Sequence, residues 1–327
     1  MKIHKTLVAK EETRLDKFLQ VLFPQFSRAE LQNIIAAGDV LVDDVVVRDK
    51  SKTVKKNQRI SLNYNSPKLA LRPDIILPRI YDDNDVLVVD KPPGIVVHPN
   101  PRAQKPSVAA AVLAQQTFTE TVGENKFRPG IVHRLDVDTS GVLIMAKTQR
   151  AYEHLKNAFQ SRKIYKEYLV LVHGKFKEKH GKIESAIGRI TGQGKLSAGI
   201  GRPAATEYWV QDEFGDRVDL HTKHSGHNKI SNRVSSVRSG VGVDTYSLLR
   251  VQLHTGRTHQ IRVHFSSLNH PVCGDKLYGG AWKQKDVAKF PRQFLHAHKL
   301  RLILPSGKEK EFVSPVPKDL QNILDKF

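Results

Sequence analysis

Residues 133–141 read HRLDVDTSG, and the apolar run VLIMA follows at 142–146. A single carboxylate, Asp136, stands behind Arg128, His133 and Arg134 and ahead of three small residues, Thr139, Ser140 and Gly141. Nearby cations and hydrogen-bond donors keep a carboxylate ionised. The small residues suit a sharp turn that donates backbone and hydroxyl hydrogen bonds. An ionised Asp can act as a nucleophile, as in retaining glycosidases. Those enzymes normally need a second carboxyl group to protonate a poor leaving group. Asp138 is the only close acid, and at that position in a turn it reads as a turn former or a surface charge. A lone carboxylate suffices when the leaving group departs as a stabilised anion. A nucleobase such as uracil can do this, and a sugar alkoxide cannot. The stretch therefore points to glycosidic-bond chemistry on a nucleotide.

The charge of the chain favours such a substrate. Its 327 residues include 53 Lys plus Arg against 33 Asp plus Glu, a formal net charge of +20. An excess of this size favours polyanionic partners, nucleic acid first. Other chemistries find no support. There is no GxxxxGK(S/T) phosphate loop, TGQG at 191–194 is too short for a dinucleotide fingerprint, and no GxSxG elbow occurs. His221, His224 and His227 lie close together without a Cys or carboxylate to complete a metal set, and His296 and His298 alternate at strand spacing. Cys273, the single cysteine, reads as a small packing residue and excludes a disulfide within the chain. No metal or other cofactor is expected.

These residues must be held by a chain of about two domains, at roughly 150 residues each. Hydrophobic residues make up 39% of it, enough for a sizeable core. No run of about 18 apolar residues predicts a membrane span. The N-terminus has no apolar signal-peptide core. With one cysteine, this predicts a cytoplasmic protein, expected to be a monomer.

Residues 13–62 read as a small module. Leu15, Phe18, Leu19 and Leu22 share a helical face, and Pro24 ends the helix. Ser27 and Glu30 have the spacing of a capping box, Leu31, Ile34 and Ile35 form the next apolar stripe, and Gly38 stops it. VLV at 40–42, Asp43-Asp44 and VVV at 45–47 predict a tight hairpin, and ISL at 60–62 a further strand. Residues 63–79, with three prolines, read as a linker.

From residue 80 onward, strands are predicted at 86–90, 142–146, 168–172, 246–253 and 300–304, and a helix at 258–269 with Ile261, Phe265 and Leu268 on one face. His264 falls among these apolar positions as a core histidine. The long, irregular spacing of the strands argues for an α+β fold rather than a doubly wound sheet. Residues 212–245 are polar and rich in Ser, Gly and His, and read as a long loop, with a hairpin in parts as the alternative. No internal repeat occurs.

Two resemblances organise these readings. TRLDKFLQVLFPQFSRAELQNIIAAGDVLVDD resembles the RNA-binding domain named after small-subunit ribosomal protein S-four, in which two short helices form an L and present basic residues to structured RNA. This implies RNA contacts by Arg14, Lys17 and Arg28, in a domain spanning residues 1–62. HRLDVDTSGVLIMAKT resembles the central motif of the RluA-type pseudouridine synthases. DDNDVLVVDKPPGIVVHP at 82–99, KEYLVLVHG at 166–174 and LHTGRTHQIRVHFSSLNHPVCGDKLYGG at 253–280 resemble three more motifs of that family, in the same order. The match implies a catalytic domain over 80–327, with 212–245 as an atypical polar insertion. It also implies a mixed, mainly antiparallel central sheet with flanking helices.

By this resemblance Asp136 takes the place of the catalytic aspartate and Tyr168 that of the tyrosine that stacks on the target base. Arg262 takes the place of the arginine paired with the aspartate. Arg134 takes that of the residue filling the gap left by the extruded nucleotide. Each role has a physical rationale: Arg262 would hold the Asp rotamer and favour its charge, Tyr168 offers uracil an aromatic face, and Arg134 is long and planar. Tyr165, three residues from Tyr168, should face the other side of its strand. The implied reaction is the isomerisation of a flipped uridine in RNA, begun by Asp136. Attack on the sugar, attack on the base and removal of a sugar proton all stay open as its first step, with the ribose favoured. Large-subunit ribosomal RNA is the expected substrate, transfer RNA the alternative. A non-catalytic RNA-binding or ribosome-assembly factor and a base-excising glycosylase are the competing readings.

Overall fold

The computed structural model describes residues 2–24, 26–65, 69–99, 105–115, 117, 121–125, 127–190, 192, 194–215 and 244–327. The chain divides into two compact units, Met1–Lys68 and Leu69–Phe327.

The first unit contains β1 (Lys2–Val8), β2 (Thr13–Arg14), α1 (Leu15–Leu22), α2 (Arg28–Ala37), β3 (Val40–Val42), β4 (Val45–Val46), β5 (Thr53–Val54) and β6 (Arg59–Asn65). The capping box at the start of α2 is formed in both directions. Ser27 Oγ accepts from the Glu30 amide at 3.3 Å, and the Ser27 amide donates to Glu30 Oε2 at 2.8 Å. Gly38 ends the helix in the left-handed conformation that a Cβ disfavours, at φ 86°. Asp43 and Asp44, at φ 47° and 66°, make the two-residue turn from β3 to β4. Leu15, Leu19, Leu31, Ile35, Val40 and Ile60 bury together in one core. The sheet order is β1-β6-β3-β4. β1 was not anticipated; its register runs from Lys2 opposite Asn65 to Val8 opposite Arg59. Its pairing is long-range, and KIHKTLV has only a weak alternation to announce it.

The second unit contains β7 (Arg79–Asp82), β8 (Val86–Lys91), α3 (Val108–Ala114), β9 (Ser140–Ala146), α4 (Gln149–Gln160), β10 (Tyr165–His173), β11 (His180–Glu184), β12 (Ile187–Arg189), β13 (Leu196–Ala198), β14 (Ala205–Gly215) and β15 (Thr245–Leu253). It ends with α5 (Gln260–Ser267), a 3-10 turn at Gly280–Trp282, α6 (Lys283–Lys289), β16 (Leu295–Ile303), β17 (Glu309–Val313) and α7 (Lys318–Leu324). The main sheet runs β11-β14-β15-β10-β16-β9-β8-β7, with β17 paired to β16. Among the described residues its pairings are antiparallel except β9 with β16. This is the expected mixed, mainly antiparallel α+β architecture. Side-chain alternation splits β8 and β9 between two cores. Leu87, Val89, Leu143 and Met145 join α3 and α5, while Val86, Val88, Val142 and Ile144 pack with Ala151 and Leu155 of α4.

Several expectations are corrected. Both ends of the stretch read as a linker belong to the units they adjoin: β6 extends to Asn65, β7 begins at Arg79, and Ile75 and Leu77 pack against the second unit's core. The two ends of the stretch 212–245 are strand, as its hairpin alternative allowed. Asp212 to Gly215 finish β14 and Thr245 opens β15, with Phe214 opposite Tyr246. Residues 216–243, including His221, His224 and His227, lie outside the described residues. The strand read at 300–304 starts earlier, at Leu295, and takes in His296, which is buried against Ser140 Oγ and the Ser314 carbonyl. Leu268 caps α5 and is 41% exposed, so of the three expected apolar positions Ile261 and Phe265 are buried, together with Gln260, Arg262, Val263 and His264. His264 is a core histidine, bonded to Thr206 Oγ1 at 2.9 Å and to the Ser185 carbonyl at 3.0 Å. Cys273 is fully buried, and burial pushes its thiol up. Among the described residues, no helix is long and apolar enough to cross a membrane.

Candidate active site

Asp136 lies in the loop that enters β9. Three anchors fix this loop. The Thr139 amide donates to the Asp136 carbonyl at 3.1 Å, closing a turn. The Gly94 amide donates to the Val137 carbonyl at 2.9 Å. Lys91, fully buried, donates to the carbonyls of Pro92, Ile95 and Val137 at 2.8, 2.9 and 3.0 Å. Those three bonds use the three donors of an ammonium. Burial pulls Lys91 down to about 7. The loop after β8 and the Asp136 loop are thus tied through one side chain.

The Thr139 and Ser140 hydroxyls do not serve Asp136, against the sequence reading. Thr139 Oγ1 accepts from Gln293 at 2.8 Å, and Ser140 Oγ accepts from Arg292 at 3.1 Å and meets His296 Nδ1 at 3.0 Å. They pin the turn to the segment before and into β16. Gly141 permits this approach. At φ 117°, a Cβ there would stand 2.2 Å from the Ala297 carbonyl oxygen. His133 likewise is no cation beside Asp136. Its ring stacks on Phe159 with centroids 4.6 Å apart, and Nε2 accepts from the Ile144 amide at 3.0 Å. Burial, with Lys166 nearby, pulls it down to about 3 and keeps it neutral.

Arg262, on α5, does reach Asp136. Its Nη1 donates to Asp136 Oδ2 at 2.9 Å. The rest of its guanidinium is held by a residue that sequence reasoning missed. Arg262 Nε and Nη2 donate to Asp275 Oδ2 and Oδ1 at 2.7 and 2.9 Å. Asp275 Oδ1 also accepts from the Leu277 and Tyr278 amides at 2.8 and 2.9 Å. The bidentate pair fixes the plane of the guanidinium, and Tyr278 lies under it at 5.2 Å from its ring centroid. Burial alone would lower Arg262. The bonds and charge of Asp275, with Asp136, outweigh this and raise it further. Asp275 was visible only as the Asp of CGDKLYGG, and nothing in the spacing ties it to Arg262.

His259, also unforeseen, caps α5 in the left-handed region at φ 55°. Its Nε2 stands 3.8 Å from Asp136 Oδ1, the oxygen that Arg262 leaves free, and its Nδ1 is 3.0 Å from the Tyr278 hydroxyl. That hydroxyl accepts from the Leu196 amide at 3.3 Å, so its own proton is available to His259 Nδ1. The arrangement favours the tautomer with its proton on Nε2, facing Asp136. Burial lowers His259, against the opposing pull of Asp136.

Asp136, Arg262, His259 and Tyr168 line one cavity of about 650 Å³. Tyr168 on β10 is buried, and burial together with the Asp136 charge raises its phenol, which stays neutral. Tyr165 instead bonds Glu167 at 2.5 Å, with the Arg301 guanidinium 5.0 Å from its ring. Arg134 is exposed and lines the same cavity. The structure therefore brings all four expected residues to one place. The site offers an oriented carboxylate, one free oxygen on it, an aromatic wall and a cationic rim. That set can hold a planar base beside a sugar while a carboxylate acts on the glycosidic bond.

In the first unit, Arg14 and Arg28 converge on buried Asp16, at 3.1 and 2.8 Å, and Gln32 joins them at 2.8 Å. Both guanidiniums stay about half exposed, and Lys17 is exposed. Burial would raise the Asp16 carboxyl, but bonds from Arg14, Gln32 and Arg28 hold it well below the usual carboxylate range.

Comparison with known proteins gives a consistent result. Residues 85–267 match the family described as RNA pseudouridylate synthase, and residues 13–60 match the S4 domain. A protein of Aquifex aeolicus described as an uncharacterized RNA pseudouridine synthase is 38% identical over 296 residues, 88% of this chain and 84% of the relative. A ribosomal large subunit pseudouridine synthase D of Vibrio parahaemolyticus is 35% identical over 321 residues, 94% of this chain and 88% of the relative. The solved structure of human RNA pseudouridylate synthase domain containing 1 is similar with a TM-score of 0.56 and 25% identity. That likeness covers 76% of this chain and 87% of the human one.

Proposed function

The chain belongs to the RNA pseudouridylate synthase family, and on that premise we propose that it isomerises specific uridines of large-subunit ribosomal RNA with Asp136 as its catalytic carboxylate. The observation that carries the residue assignment is the Asp136–Arg262 pair at 2.9 Å in a cavity that Tyr168 also lines. Relatives named for the ribosomal large subunit support the substrate.

The uridine is flipped into the cavity at a cost of a few kcal/mol. Its base lies against Tyr168, and its ribose faces the free oxygen of Asp136. Asp136 starts cleavage of the bond between ribose C1′ and ring N1. The freed uracil turns within the cavity and C5 bonds to C1′. The C5 proton then leaves and N1 gains one, so substrate and product are isomers. Arg262 holds Asp136 in place, and Arg134 occupies the stack that the base has left. Arg14, Lys17 and Arg28 contact RNA phosphates, with Asp16 setting the direction of the two arginines. The enzyme works as a monomer in the cytoplasm.

Tritium release from RNA labelled at uracil C5 tests this, with pseudouridine mapping in ribosomal and transfer RNA from cells lacking the protein. Wild type should release tritium, and Asp136→Asn should release none while keeping its fold. Full activity of the Asn variant would overturn the assignment of Asp136. Scission of the product strand by mild base would instead mark a base-excising glycosylase.

A further inference from the structure

The cavity around Asp136 is unbalanced in charge. Arg128, Arg134, Lys156, Arg162, Lys166 and Arg257 line it together with Arg262, and Asp136 is the one acid among its described lining residues. Arg262 and Lys156 have carboxylate partners in Asp275 and Glu124. Lys166 has none among the described residues, although it is one of the more enclosed of these cations.

Lys166 sits on β10 two residues before Tyr168, so both side chains leave the same face of the strand. That face continues through Val170 and Val172 into the main core. The Lys166 Nζ donates to the Thr255 carbonyl over a long 3.4 Å. It lies beside Gly256, where a Cβ would stand 3.8 Å away, so the absent side chain leaves room there. The groups around it do not neutralise it. Arg162 bears the same charge, His133 is neutral, and Tyr168 keeps its proton. Burial and Arg162 together pull the ammonium down to about 8. An ammonium has three donors, and among the described residues one weak bond leaves the others unused. Enclosing a cation without a counter-charge is costly unless an anion joins it.

We propose that Lys166 is the binding site for a backbone phosphodiester of the substrate RNA, at the nucleotide whose base lies on Tyr168. This rests on the reading of Tyr168 as the base platform. Two residues of strand span about 6.6 Å, comparable to the reach from a nucleotide's base to its own phosphates. The substrate thus supplies the anion that the protein leaves out, and a compact ammonium binds phosphate as a point charge. Lys166 also gives the site a register. A base can lie on Tyr168 in the reactive pose only when a phosphate sits two strand residues away.

The test uses the full chain and an RNA hairpin spanning a uridine that the wild-type protein modifies. In two further hairpins a methylphosphonate replaces the phosphodiester 5′ or 3′ of that uridine, removing its charge. Lys166→Gln should weaken binding of the natural hairpin about tenfold and flatten the salt slope by about 0.7, one single-strand phosphate contact. On one of the two methylphosphonate hairpins, the wild type and Lys166→Gln should bind within twofold of each other. Lys166→Arg should retain most of the affinity, which separates loss of charge from loss of fold. Equal losses on all three hairpins, or an unchanged salt slope, would overturn the proposal. A wild type that releases no tritium from any RNA would instead overturn the function assigned to the site.

Discussion

Replacing Asp275 by Asn tests whether the carboxylate proposed as catalytic, Asp136, is aimed from a distance. Four N–H donors converge on Asp275: Arg262 Nε on Oδ2, and Arg262 Nη2 with the Leu277 and Tyr278 amides on Oδ1. Asn has one acceptor oxygen. If that oxygen takes the place of Oδ1, its NH2 group faces Arg262 Nε across 2.7 Å, donor against donor. Turning the amide over sets its NH2 against three donors instead. Breaking a buried ion pair costs about 3–5 kcal/mol. The lower end applies, because Arg262 keeps Asp136 and most of the Asn bonds survive. For a domain of this size, about 3 kcal/mol lowers the thermal midpoint by roughly 6–12 °C. The guanidinium must also recoil from the misplaced NH2, and a shift of about 1 Å in catalytic groups costs about 10²-fold in rate. Single-turnover tritium release gives the rate and scanning calorimetry the midpoint. A variant within twofold of the wild-type rate would refute the idea that Asp275 aims Asp136 through Arg262, whatever its stability.

Other outcomes follow from the same contacts. Gly141→Ala places a Cβ 2.2 Å from the Ala297 carbonyl at a positive φ. It should cost about 3 kcal/mol, read as a lower calorimetric midpoint, and a neutral effect would disprove the close crossing of β9 and β16. Asp16 has a depressed carboxyl, so its stabilisation is present above the unfolded-state pKa of about 3.9 and is lost as pH falls below it. Protection factors of the β1–β6 amides in the full chain, corrected for the intrinsic pH dependence of exchange, should fall between about pH 5 and pH 3, and Asp16→Asn should show a weaker pH response. Lys166 loses its proton near 8 in the free protein. RNA affinity should therefore fall as pH rises past that point in wild type but stay level in Lys166→Arg. Identical pH profiles would argue against a phosphate on Lys166.

Much of this protein was written locally. The capping box of Ser27 and Glu30, the stop at Gly38 and the Asp43-Asp44 turn depend on residues at most a few positions apart. Backbone sterics and short hydrogen bonds decide such features whatever the rest of the chain does. The proposal for Asp136 also began locally, because a lone carboxylate in a basic chain restricts the leaving group. The family motifs added Arg262 and Tyr168.

Only the tertiary structure decided how the carboxylate is held. Arg262 is 126 residues beyond Asp136, and the pair exists because α5 and the loop before β9 line one cavity. Asp275 and His259 gained their roles from that packing. Folding also reversed two local readings. His133 turned inward to stack on Phe159, so burial removed the charge that its position suggested. Thr139 and Ser140 bonded Gln293, Arg292 and His296 rather than Asp136. A short sequence specifies which groups are near one another along the chain. Which of them face each other, and which are stripped of water and charge, depends on strands and helices brought together from far apart. Burial and long-range pairing set those energies, and neither is a property of a single segment.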